Sequence, residues 1–362
     1  MDIETKISIV NRRPTEEIIT LEELKALFQV RTQPIAYDGF EASGIPHIAT
    51  ALLKVLKVKD ITDVGCKHIF FLADWHSRIN NKFGGDMDKI TTACRLFVEV
   101  WKSLLDAFQV KLSSVDFVSG TQLYNQEYWS MVLRVAKKIS LSRAKRALVI
   151  AGRSAFAVQD LASLFYIPMQ IADIYHMGVD ICQLGMDQRK ANILAREIAR
   201  EIRSQKPVCV HHHLLIGLDG PQRMGQEQDV ASSKMSKSKP ETCIYVNDIP
   251  DVIKAKLENA YCPPKNLSNN PVIDICRHII LRGVAGESLQ VERPSKWGGP
   301  ITFWNIQELE QAYLEGGLHP LDLKNAVSAK LSLMLESCRR HFQNNNEAKH
   351  LLETVEGYKV TR

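Results

Sequence analysis

Lys234-Met235-Ser236-Lys237-Ser238, preceded by Ala231-Ser232-Ser233 and followed by Lys239-Pro240, is the stretch on which the reading of this chain turns. Two lysines alternate with small hydroxyls, a pattern that suits neither a core helix nor a buried strand. It predicts a mobile, solvated loop able to aim two ammonium groups, with N–H and O–H donors, at a polyanion. A lysine is a flexible point charge and can follow a phosphate whose charge grows during a reaction. A loop that is merely basic would look the same, so the reading needs a second anion-facing segment.

Tyr37-Asp38-Gly39-Phe40-Glu41-Ala42-Ser43-Gly44-Ile45-Pro46-His47-Ile48-Ala49-Thr50 supplies it. The strand-like run Ile35-Ala36-Tyr37 enters a Gly/Ser turn, and apolar residues then recur at helical spacing from Ile48 to Val58. A helix N-terminus offers unpaired N–H groups and an imidazole adds a donor, so strand, turn and helix beside His47 make an anion site. A histidine there can equally be a cap or a packed side chain. Two such segments near opposite ends of one α/β unit can clamp a triphosphate from both sides, as adenylyl transfer requires.

In order and spacing these blocks resemble the class I aminoacyl-tRNA synthetases. Residues 234–238 match the KMSKS signature in full, and His47-Ile48-Ala49-Thr50 resembles the HIGH element with Ala49 for its glycine and Thr50 for its second histidine. Residues 37–44, the set Tyr166, Gln170 and Asp173, and the run Gly185-Met186-Asp187-Gln188-Arg189-Lys190 are similar to tyrosyl-tRNA synthetases of the archaeal and eukaryotic type. The likeness runs through almost the whole chain. It implies an α/β fold: a Rossmann-like parallel-sheet catalytic domain over residues 1–246, followed by a C-terminal helical anticodon-binding domain over 247–362. The first would carry N-terminal helices and an insertion around 120–165 that builds a homodimer interface and borders the tRNA acceptor end. The implied activity is attack of the tyrosine carboxylate on the α-phosphate of ATP, bound with Mg2+, and then transfer of tyrosyl to the terminal adenosine of tRNA. Such a reaction needs no protein nucleophile, only positioning and charge stabilisation. The altered HIGH element shifts that work onto His47, Lys234 and Lys237.

Helical spacing from Phe165 to Ala172 puts Tyr166, Gln170 and Asp173 on one face. A phenol, an amide and a carboxylate present polar groups to a cavity rather than to a core. Asp173 with the Tyr37 hydroxyl suits the hydroxyl of a phenolic ligand; Tyr166, Gln170 and Gln188 suit an α-ammonium and a carboxylate. Asp173 alone reads as well as a helix-end charge or half of a salt bridge. The resemblance adds Gly39 to this set. Ala73 and His76 lie beyond the apolar strand that starts at His68, where open parallel sheets bind ligands. Gly185 permits close backbone approach, and Asp187 beyond it is the usual partner for ribose hydroxyls. The expected nucleotide set is Gly44, His47, Ala49, Thr50, Gly185, Asp187, Leu215, Lys234, Met235, Ser236 and Lys237. For tRNA the resemblance implies Arg143 and Arg146, in a basic helical cluster, with Arg189 and Lys190 near the acceptor stem. Trp297 would stack on an unpaired base and Asp322 would accept from a guanine edge. The segment around Gln122 and Tyr124 does not align cleanly with the family and yields no pocket residue.

Composition frames these readings. The 362 residues allow two domains, and 46 Lys+Arg against 41 Asp+Glu leave a net charge of +5, so any nucleic-acid surface is a local patch; the resemblance implies RNA there and not DNA. Eight cysteines without C-x-x-C spacing read as reduced thiols, and no run approaches membrane-spanning length, so the expectation is a cytoplasmic chain. Neighbouring residues of His211-His212-His213 alternate faces on a strand and no Cys, Asp or Glu set completes a site, so no protein-bound metal is expected. Three rivals stand beside the tyrosyl reading: a tryptophanyl enzyme, a non-catalytic tRNA-binding relative, and a small-molecule adenylyltransferase.

Overall fold

The structure, a computed structural model, describes residues 1–148, 160–202, 204–221, 234–237 and 239–358. Its centre is a sheet of six strands: β1 (Thr15–Ile19), β2 (Ile35–Phe40), β3 (Lys67–Leu72), β4 (Val115–Ser119), β5 (Ile181–Gly185) and β6 (Val208–His212). They lie in the order β1-β6-β5-β2-β3-β4, all parallel except β1, which runs antiparallel to β6 at the edge. The central strands are buried on both faces, as a parallel sheet covered by helices requires, and β3 is accordingly an unbroken apolar run from Ile69 to Leu72. From β2 the chain builds outward through β3 to β4, then returns to the other side of β2 to lay down β5 and β6. That reversal opens a crevice beyond the carboxyl ends of β2 and β5, where doubly wound sheets hold ligands.

Three local expectations change. Residues 1–32 read from their sequence as two helical pieces with a capping box at Thr20-Leu21-Glu22-Glu23, and the structure has both, Ile3–Val10 and Leu21–Val30, with the Thr20/Glu23 box formed. Between them, however, Thr15–Ile19 pairs with β6; five half-buried edge residues carry too little alternation to announce a strand. Residues 124–151 read from their spacing as one long helix; over the described part, to Leu148, they hold two short ones, Gln126–Ala136 and Leu141–Ala147, with the four-residue Gly120–Leu123 just before them. Ser119, Asn125 and Ser140 each accept a backbone N–H of the following turn, so each starts a new helix. Residues after 247 are mainly helical, as expected, but include a hairpin of β7 (Leu289–Val291) and β8 (Ile301–Phe303).

The two parts share one core. Phe70, Trp101 and Phe117 stack on one another, and the apolar cluster they belong to continues from Phe40 in β2 to Val355 in the last helix. At its edge the buried Asp60 carboxylate takes the Arg282 guanidinium, which also donates to Arg13 O at 2.8 Å. All eight cysteines are unpaired, and among the described residues no helix is long and apolar enough to cross a membrane.

Candidate active site

The crevice holds a cavity of about 1050 Å3, at the upper end of the usual size for ligand pockets. Tyr37, Gly39, Ala73, His76, Tyr166, Gln170, Asp173 and Gln188 all line it, although they come from β2, the residues after β3, the helix Tyr166–His176 and the turn after β5. Tyr166, Gln170 and Asp173 are buried on one face of that helix, which explains how residues at steps of four and three meet. Gln170 Nε2 donates to Gln188 Oε1 at 3.0 Å, joining helix to turn.

The cavity is short of hydrogen bonds. Asp38 Oδ1, His47 Nδ1, His76 Nε2, Gln170 Oε1 and Asp173 Oδ1 are buried without a hydrogen-bond partner, and all five residues line this space. Buried polar atoms are normally paired, because an unmade bond costs about 1–3 kcal/mol. Such a concentration marks the place where a polar ligand completes the set. Asp173 is the sharpest case. Burial pushes its carboxyl well above the usual range, while the Tyr128 and Tyr124 hydroxyls facing it act the other way. Those hydroxyls have their direct hydrogen bonds elsewhere, Tyr124 with His76 Nδ1 at 3.4 Å and Tyr128 to Met169 O at 3.3 Å. Tyr37 feels the Asp173 charge, and burial drives its own hydroxyl pKa far up, so it is a neutral donor.

Sequence reasoning missed several members of this site. Tyr124 and Tyr128 stack at 3.8 Å on either side of the Asn125 cap and border Asp173. Their signal was two tyrosines four residues apart at a helix start. Asp74 places them by accepting from Thr121 N (3.1 Å) and Thr121 Oγ1 (2.6 Å). Glu41 accepts the Tyr166 hydroxyl at 2.5 Å and takes Asn80 and Lys82 as further partners. Asp38 pairs with Lys54 at 2.5 Å, and burial lifts its carboxyl to about 7 against the pull of that ammonium.

The other half of the cavity is basic. His47, Ala49, Thr50, Gly185, Asp187, Leu215, Lys234, Met235, Ser236 and Lys237 line it. Gly44 does not; its carbonyl accepts from Lys237 Nζ at 3.3 Å. The helix expected to start beside His47 begins only at Leu52, and a turn closed by Ala51 N to His47 O fills the gap. His47 is fixed by a bridge to Tyr245 and by Ile48 N donating to Ile244 O at 2.9 Å, so this turn is tied to the chain just after the lysine loop. Burial first, then Lys237 and Lys234, depress the imidazole to about 3, so at neutral pH His47 offers a hydrogen bond and no charge.

The lysine loop departs from the mobile, solvated reading over residues 234–237. Met235 is buried in the main core and its N–H donates to Leu215 O at 2.7 Å, while Lys234 bridges to Ile216. The methionine is an anchor between two lysines that face the cavity. Lys234 Nζ pairs with Asp187 at 2.7 Å, and Lys237 Nζ lies over the Phe97 ring and donates to Ser43 O. Burial, with Lys82 adding to it, lowers Lys237 to about 7. Ala231, Ser232, Ser233 and Ser238 lie outside the described residues. Gly185 is needed for room: a Cβ there would meet Asp187 Oδ1 at 2.7 Å and Leu214 Cδ2 at 2.8 Å.

The predicted RNA-facing residues lie apart from the cavity. Arg143 is ion-paired with Glu197, Arg189 with Glu17 at 2.8 Å, and Arg146 and Lys190 are exposed. Trp297 is 66% exposed, and Asp322 sits in the first turn of the helix Pro320–Met334. Arg293 joins the two, donating to Gly299 O (2.9 Å) on one side and Gly317 O (2.7 Å) on the other. The three adjacent histidines diverge as expected: His211 pairs with Glu17 and Asn192, and His212 with Gln183. The expectation that no Cys, Asp or Glu set completes a site fails at His213, whose Nε2 meets Asp274, 61 residues on, at 2.9 Å, with His278 beside it.

With this geometry established, comparison with known proteins gives a consistent result. Residues 29–336 match the profile of the family described as "tRNA synthetases class I (W and Y)". A tyrosine–tRNA ligase of Thermococcus sibiricus is 40% identical over 373 residues, 98% of this chain and 99% of that protein. One from Aeropyrum pernix is 42% identical over 369 residues, covering 100% and 99%. The crystal structure of tyrosyl-tRNA synthetase from Pyrococcus horikoshii complexed with L-tyrosine superposes with a TM-score of 0.93 at 39% identity, covering 98% of this chain and all of that one. A continuous match of this length, on a cavity with an orphaned carboxylate at one end and paired lysines at the other, means that the chain belongs to the class I tRNA synthetases of the tryptophan–tyrosine group, among the tyrosyl-tRNA synthetases.

Proposed function

We infer that the chain is a tyrosine–tRNA ligase: it activates tyrosine with ATP to tyrosyl-adenylate and pyrophosphate, then transfers tyrosyl to the 3′-terminal adenosine of tRNA(Tyr). The observation that carries the amino-acid choice is the buried, unpartnered Asp173 Oδ1, in a cavity it shares with the neutral Tyr37 hydroxyl. A phenol donates to the one and accepts from the other, whereas an indole N–H can only donate. Tyr166, Gln170 and Gln188 hold the ammonium and carboxylate, and Asp187 takes the ribose hydroxyls. Lys234, Lys237 and neutral His47 stabilise charge on the phosphates, with Mg2+ arriving as part of the ATP complex. The test is amino-acid-dependent ATP–pyrophosphate exchange. Exchange with tyrosine and none with tryptophan is expected; tryptophan dependence, or tRNA binding without any exchange, overturns the reading.

Residues 1–246 form the catalytic unit in this reading and 247–362 the anticodon-binding unit, with Trp297 and Asp322 on one surface. Arg143, Arg146, Arg189 and Lys190 face the acceptor end. The unpaired cysteines fit a reducing compartment, the cytoplasm. The enzyme is a homodimer: Trp75, Trp129, Leu133 and Phe165 are 36–59% exposed, and three of them border a second cavity of about 550 Å3. Exposed aromatics grouped in this way mark a protein interface. Sedimentation equilibrium at micromolar concentration should give twice the chain mass, and Leu133→Glu with Trp129→Glu should halve it. A monomeric unsubstituted protein would remove the interface.

A further inference from the structure

Where β6 meets the C-terminal helices, His213, Asp274 and His278 bring one ligand atom each within 4.8 Å of one another, the one such metal-ligating group among the described residues. We propose that these three side chains bind a single divalent ion of the zinc class. His213 Nε2 lies 2.9 Å and His278 Nε2 3.6 Å from Asp274 Oδ1. Around a tetrahedral ion with bonds of about 2.0–2.1 Å, ligand atoms stand roughly 3.3 Å apart, so the two separations bracket the required one.

The surroundings match those of metal ligands. The other ring nitrogen of His213, Nδ1, is held by the Glu16 carboxylate, and Asp274 Oδ2 accepts Ile216 N–H at 3.0 Å. A carboxylate on the remote nitrogen fixes a ligand histidine's tautomer and orientation. His278 sits one turn beyond Asp274, in a π-helical segment, Cys276–Ile280, a distortion frequent at functional sites. Its remote nitrogen, Nδ1, is buried without a hydrogen-bond partner, so the carboxylate support falls on His213 and not on His278. The two rings now stack at 3.9 Å with 10° between their planes, so the ion binds with a tilt of one ring. His213 also lines the edge of the nucleotide cavity, which leaves the fourth position to water. An ion here would fasten β1, the end of β6 and the first C-terminal helices together, so its binding energy would add to stability.

The test uses the full-length protein, stripped with chelator and titrated with Zn2+ by calorimetry, and with Co2+ followed by visible absorption. One saturable ion per chain, a higher melting temperature and a tetrahedral Co2+ spectrum are expected. His278→Ala should abolish all three, and Glu16→Gln, at the exposed sheet edge, should weaken Zn2+ about 10- to 100-fold as outer-sphere partners do. Absence of saturable binding by the unsubstituted chain overturns the proposal: the cluster is then held by protons alone. Undiminished binding by His278→Ala overturns it too, since the ion then sits elsewhere.

Discussion

Replacing Lys234 and Lys237 together by alanine should slow tyrosine-dependent ATP–pyrophosphate exchange by at least about 10²- to 10³-fold, the usual cost of one lost preorganised charge donor, while leaving tyrosine affinity almost unchanged. In the proposed reading Lys234 and Lys237 carry positive charge to the phosphates, since burial holds His47 neutral, and a phosphate beside Lys237 favours its charged form against the pull of burial. Neither lysine touches the end of the cavity where Asp173 and Tyr37 lie. Without nucleotide each has a provisional partner, Lys234 on Asp187 and Lys237 on the carbonyls of Ser43 and Gly44. On the proposed reading ATP exchanges one set of partners for another, and only the set gained with the growing phosphate charge lowers the barrier. Exchange kinetics and equilibrium dialysis with tyrosine separate the two quantities. A parallel fall in tyrosine affinity would mean that the loop shapes the whole cavity, and the division of labour proposed here would fail.

The sequence singles out these lysines because they alternate with small hydroxyls, a pattern that suits neither a core helix nor a buried strand. The opening of β2 and the whole of β3 were legible too, as the short strand-like run Ile35-Ala36-Tyr37 and the apolar run that burial on both faces demands. Their order in the sheet, and hence the crevice, came from resemblance and not from the strands themselves. Legibility failed where a role depends on a distant partner. Met235 reads as one apolar residue in a polar loop until Leu215 O is seen to hold its N–H. Tyr124 looks like the entry to a helix; only the Asp74–Thr121 lock, 47 residues apart in sequence, turns it toward Asp173. Asp38 and Lys54 belong to a strand and a helix that each read as ordinary, and their pairing inside the cavity follows from packing alone. Asp274 and His278 likewise reach His213 only through the docking of the C-terminal helices.

Asp173→Asn should reduce the preference for tyrosine over phenylalanine in kcat/KM by roughly 10- to 100-fold, the equivalent of the 1.5–3 kcal/mol that a hydrogen bond to a charged group contributes. In the free protein the carboxylate is fully buried and one of its oxygens has nothing to accept. A phenol supplies that missing donor, which also favours the charged form that burial opposes. Phenylalanine supplies none, and leaves the orphaned oxygen and the Tyr37 hydroxyl to bear their desolvation unrelieved. Asparagine keeps the side chain's size, so packing against Tyr124 and His76 persists while the charge-assisted bond is lost. Asp173 Oδ1 accepts nothing, and the imidazole nearest Oδ2, His76 Nε2 at 3.6 Å, is held neutral by burial, so removing the carboxyl should let the unliganded protein melt at a higher temperature than its parent. A salt-bridge or helix-end role predicts the opposite sign, because breaking a pairing or removing a favourable end charge destabilises. Melting without ligand and a two-substrate exchange assay on one variant therefore separate the two roles. A lower melting temperature with unchanged discrimination would make Asp173 a structural group and leave the choice of tyrosine without its physical basis.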